Sequence, residues 1–126
     1  MTRPWWRATL LALTLASAAA APALAHHSFA LFDAQKSVTV EGTVKAFQWS
    51  NPHTSVRIIV KDPNGKDVEW NVEGGSPNGL ARQGWSRQSL KPGDKASVVI
   101  HPLKDGANGG VLVRATVNGR PIGAPG

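Results

Sequence analysis

The stretch from Ser37 to Trp49 constrains the fold more than any other. Val38, Val40, Val44 and Ala46 share one parity, while Thr39, Glu41, Thr43 and Lys45 hold the other. That is the period-two pattern of a strand with one buried face. The phase then reverses, because Phe47 and Trp49 lie on the parity that had been polar. A strand that changes its apolar face needs a bulge or a bend, and Gly42 is a residue that permits one. A long first strand that bends is what a small barrel requires, since it must curve through both walls.

The rest of the chain supplies the other walls. Asn51-Pro52 ends the first run, and a second strand begins near His53, with Val56, Ile58 and Val60 inward and Ser55, Arg57 and Lys61 outward. Asp62-Pro63-Asn64-Gly65 is a turn, and Asp67 to Glu73 returns as a third strand with Val68, Trp70 and Val72 inward. Ser76-Pro77 opens a helix of about two turns, the serine as N-cap and the proline at the first helical position. Leu80 and Ala81 can face the core there, and Gly84 can close the helix in the left-handed conformation. Lys91-Pro92-Gly93-Asp94 launches a fourth strand with Ala96, Val98 and Ile100 inward. Past the glycine-rich loop Asp105 to Gly110, a fifth strand carries Val111, Val113, Ala115 and Val117 on one parity. The order predicts an all-β fold with one short helix, a five-stranded OB-like Greek-key barrel. A small β-sandwich is the alternative.

The first 25 residues read differently. Arg3 and Arg7 without an acid, an unbroken Ala, Leu, Thr and Ser run over 8–20, and the small residues of Ala23-Leu24-Ala25 make a secretory signal peptide cleaved after Ala25. The apolar run is shorter than the roughly 20 residues of a transmembrane helix. It carries no lipoprotein cysteine and no Arg-Arg pair, so the expectation is a Sec-exported periplasmic protein with no membrane anchor. Residues 26–36 then form an amino-terminal segment, 37–122 the barrel and 123–126 a frayed tail.

Cleavage leaves 101 residues, enough for one small core. It also removes the single Met from a chain without Cys, so a metal site must use nitrogen and oxygen ligands and no disulfide staples the fold. Twelve basic against eight acidic residues remain, and the basic ones stand singly between acids. A nucleic-acid groove wants them clustered on one face, so no nucleic-acid partner is expected.

Several motifs now carry a resemblance. His-His-Ser-Phe at 26–29, Asn51-Pro52-His53, Gly84-Trp85, Leu90-Lys91-Pro92-Gly93-Asp94 and Lys104-Asp105-Gly106 resemble a family of small exported bacterial proteins known as a periplasmic domain of unknown function. The resemblance spans nearly the whole mature chain and implies no activity. It places His26, His27 and His53 within shared motifs and leaves His101 outside them.

The residues themselves suggest a chemistry. A free amino-terminal His26 can hold a metal through its α-amine and ring Nδ1, and a second imidazole completes a T-shaped nitrogen site. Alternatively His27 supplies the imidazole, in plane with the α-amine and a deprotonated amide. Both arrangements favour Cu(II) by nitrogen preference and tetragonal geometry, and the groups compete only weakly with protons near neutral pH. His53, at the tip joining the first two strands, is the candidate third ligand. The expectation is a periplasmic binding module holding Cu(II) or another divalent metal through His26, His27 and His53. The other reading makes the histidines incidental and binds a small organic ligand, an oligosaccharide or a protein partner through Phe47 and Trp49.

Catalytic alternatives are weak. Glu69 and Glu73 share a strand parity but stand roughly 13 Å apart in an extended chain, beyond a glycosidase pair. Ser28 beside His27 has no third member, and the 106–110 glycines precede no Gly-Lys-Ser/Thr.

Overall fold

The valine- and isoleucine-rich alternating runs form strands that pair into one continuous sheet. The computed structural model describes residues 30–123. The elements are β1 (Val38–Gln48), β2 (Ser55–Lys61), β3 (Asp67–Glu73), α1 (Pro77–Arg82), β4 (Lys95–Pro102), β5 (Gly109–Val117) and a two-residue β6 (Arg120–Pro121). β1 divides its length between two neighbours. Its first half pairs with β4, from Val38↔Ile100 to Thr43↔Lys95, and its second half with β2, from Thr43↔Ile59 to Gln48↔Ser55. β2 and β3 form the expected hairpin, Lys61↔Asp67 through Ser55↔Glu73. β4 and β5 are antiparallel neighbours. A short parallel pairing of β3 with β5, at Asn71↔Gly109, Val72↔Gly110 and Glu73↔Val111, closes the sheet on itself. The result is a closed five-stranded OB-like barrel with one short helix, and not a two-sheet sandwich.

The phase change in β1 is real, but its position differs from expectation. The register passes from Val44↔Ile58 directly to Ala46↔Arg57, which makes Lys45 the extra, bulged residue rather than Gly42. An extra residue turns every later side chain over. Phe47 and Trp49 therefore pack against the core as Val40 and Val44 do before the bulge. Gly42 has another task. A Cβ there would lie 2.1 Å from the carbonyl oxygen of Ile59, so its missing side chain lets the bent strand press against β2.

A second bulge corrects the reading of β5. Val99↔Arg114 is followed by Ile100↔Leu112, which leaves Val113 without a partner and 44% exposed. Leu112 takes the place against the core, so Val113 does not share a face with Ala115 and Val117. Strict alternation cannot register an inserted residue, hence the difference.

The core lies inside the barrel, where Ile58, Val72, Val98 and Ile100 are fully buried. Helix α1 caps it with Leu80, while Ala81 faces solvent. Ser76 accepts a hydrogen bond from the Gly79 N–H, Pro77 occupies the first turn, and Gly84, at φ 89°, ends it as expected. Among the described residues no helix is long and apolar enough to cross a membrane.

Candidate functional site

The site is built around Thr54, the one buried polar side chain among the described residues, 1% exposed. Its N–H and its Oγ1 both donate to the carbonyl of Gly75, each at 2.9 Å. Gly74 returns an N–H to the Thr54 carbonyl at 2.8 Å. A Cβ on Gly74 would fall 2.2 Å from Thr54 Oγ1, so only glycine allows the two connections to lie this close. The clasp fixes the β1–β2 connection to the end of β3. Their neighbours, His53 and Glu73, consequently meet: His53 Nδ1 stands 2.9 Å from Glu73 Oε1, with both side chains about half exposed.

That pair stands at a cleft of about 290 Å³. Phe32, Leu80, Trp85, Leu112 and Val113 supply apolar lining, and His53, Glu73 and Gln83 the polar lining. Phe32 reaches the cleft because the chain before β1 runs antiparallel to the end of β4. Phe32 bridges Leu103, Asp33 donates to the Pro102 carbonyl at 2.8 Å, and Lys104 donates to the Leu31 carbonyl at 2.9 Å. Phe32 and His53 thus line the same cleft.

Of the three histidines expected to hold a metal, His53 is on this cleft, and His26 and His27 lie outside the described residues. No group of three or more His, Cys, Asp or Glu side chains within those residues is arranged to hold a metal ion. His53 and Glu73 are two adjacent donors, one nitrogen and one oxygen. The Nδ1 of His53 faces a carboxylate oxygen, Glu73 Oε1, at 2.9 Å.

The aromatic pair sits elsewhere in the packing. Phe47 and Trp49 are partly buried, their rings 5.8 Å apart and edge-on, and Phe47 also lies 6.2 Å from the buried Trp85. Both rest on the core. His101 is tied to the backbone, its Nδ1 2.7 Å from the Lys36 carbonyl oxygen.

Glu73 is the member that sequence reasoning missed. Along its own strand Glu73 shares a parity only with Glu69 among the glutamates, whereas its partner His53 lies across the hairpin. The turn at 62–65 sets the register Ser55↔Glu73, and that register alone brings Glu73 within two residues of His53. Glu69 belongs to a different cluster. The Lys45 ammonium, 2.7 Å away, holds its carboxyl below the usual carboxylate range, with a smaller contribution from Arg57.

A wider groove of about 850 Å³ lies against β1, β2 and β4. Its lysines are already engaged, Lys45 with Glu69, Lys61 with Asp67 and Lys95 with the Thr43 hydroxyl. The His53–Glu73 cleft, with its polar pair beside apolar walls, is the better candidate site.

No curated protein matches the chain. The kinship is at the level of a domain family: residues 13–114 match the family of unknown function DUF6152, and the chain belongs to that family.

Proposed function

We propose that the protein is an exported, periplasmic binding module that holds Cu(II) or another divalent metal through His26, His27 and His53. The observation that carries this reading is that Phe32 and His53 line one cleft. Phe32 stands six positions after His26, and a chain that short spans at most about 20 Å. That length would let His26 come to the cleft that His53 lines. Cleavage after Ala25 would make the His26 α-amine a second nitrogen on the same residue, and the described part of the chain offers neither thiol nor thioether. An all-nitrogen set with an oxygen donor near it suits Cu(II) first among the common divalent metals.

Mature protein beginning at His26 should bind Cu(II) with a sub-micromolar dissociation constant and show nitrogen hyperfine structure in its electron paramagnetic resonance spectrum. One additional residue before His26, or His53→Ala, should weaken binding by more than about tenfold, a loss of about 1.4 kcal/mol. Equal binding by the extended and mature forms would remove the amino-terminal chelate. Absent metal binding, together with loss of a co-purifying organic ligand in Trp49→Ala, would favour recognition through Phe47 and Trp49 instead.

A further inference from the structure

We infer that Glu73 is the positioning residue for His53, its carboxylate accepting the Nδ1–H hydrogen bond and leaving Nε2 as the nitrogen free to bind a metal. The inference rests on the metal reading of this cleft and adds to it the residue that orients the ligand. Three observations support it. The 2.9 Å contact engages Nδ1 specifically, and a carboxylate there can only accept, so the neutral ring must carry its proton on Nδ1. The backbones that carry the two partners are held together, because the neighbouring Thr54 accepts from the Gly74 N–H at 2.8 Å and donates to the Gly75 carbonyl at 2.9 Å. The pair also stands by itself: among the described residues the cationic side chains with carboxylate partners, Lys36, Lys45, Arg57 and Lys61, are paired with Asp33, Glu69 and Asp67.

A half-exposed pair of this kind adds little to stability. Its effect is geometric and electronic. A carboxylate on the far nitrogen fixes the tautomer and ring orientation of a ligating histidine and raises its basicity, and losing such a partner typically costs 10–100-fold in metal affinity. Glu73→Ala should therefore isolate that effect, with a thermal melt unchanged from wild type as the check.

The test uses the full mature chain beginning at His26, labelled with ¹⁵N, in two measurements. In the metal-free protein above the imidazole titration, long-range ¹H–¹⁵N correlations should show His53 with its proton on Nδ1. Glu73→Gln, which keeps a carbonyl acceptor, should preserve that tautomer, and Glu73→Ala should release it toward the Nε2–H form. In a Cu(II) titration, Glu73→Ala should then lower affinity by about 10–100-fold, with Glu73→Gln intermediate. A wild-type His53 protonated on Nε2, or a tautomer indifferent to Glu73→Ala, overturns the inference. So does copper affinity that falls in His53→Ala but not in Glu73→Ala, an outcome that leaves the metal reading intact. Wild-type protein that binds no Cu(II) while its tautomer still responds to Glu73→Ala overturns the metal reading and retains the orientation of His53 by Glu73.

Discussion

At the scale of single residues, two glycines do work that no other side chain permits. At Gly42 the obstacle is the Ile59 carbonyl, 2.1 Å from where a Cβ would be, and at Gly74 it is the buried Thr54 hydroxyl. Backbone in a paired strand cannot yield as a side-chain tip can, so Gly42→Ala must push β1 away from β2 at the bend. Overpacking of this kind costs about 3 kcal/mol. Urea denaturation of Gly42→Ala should show a midpoint lowered accordingly, with an unchanged slope; a loss below about 0.5 kcal/mol would mean that the bend accommodates a methyl group and that the close approach is not what selects glycine there. The sequence marks Gly42 as unusual but not why. Its neighbour in space, Ile59, is set by the pairing of a different strand, and no local pattern reveals that.

At the scale of elements, the strands and the helix are legible from local chemistry. Ser76 and Pro77 at the start of α1 and Gly84 just past its end place the helix closely, because each residue answers a fixed backbone demand. Ser76→Ala removes the acceptor for the Gly79 N–H at 3.1 Å and should lower stability by about 1 kcal/mol in a thermal melt; an unchanged melting temperature would show that packing of Leu80 alone holds the helix. The bulges are where local reading stops. A phase switch in β1 is visible from Phe47 and Trp49, yet its location at Lys45 is set by the partner register. In β5 the valines at 111 and 113 look equivalent, and only the pairing Ile100↔Leu112 distinguishes the one left outside. His53 could be singled out as a chemically suggestive residue in a loop. Glu73 could not be singled out without the hairpin register, because its relevance is a relation between strands.

At the scale of the whole molecule, the candidate site lies at the joint of the barrel. Glu73 and Val111 are the last pair of the parallel β3–β5 contact, and both line the cleft. Backbones approach closely there too: a Cβ at Gly109 would stand 2.7 Å from the Asn71 carbonyl oxygen across the joint, and one at Gly110 would stand 2.4 Å from that of His101 in β4. The β1–β2–β3 meander can assemble from neighbours in sequence. The joint unites residues about forty positions apart, and such ends must lose their freedom before the contact repays them.

The placement of the joint has a kinetic meaning. If the meander forms in the folding transition state and the joint later, the cleft is the last feature to appear during folding and the first to be lost. Val111→Ala should then accelerate unfolding while leaving the folding rate almost unchanged, as read from the two arms of a denaturant chevron; slowed folding would place the joint within the nucleus. The His53–Glu73 pair, set by the β2–β3 register, would then stand in place before β5 closes the wall of the cleft around it.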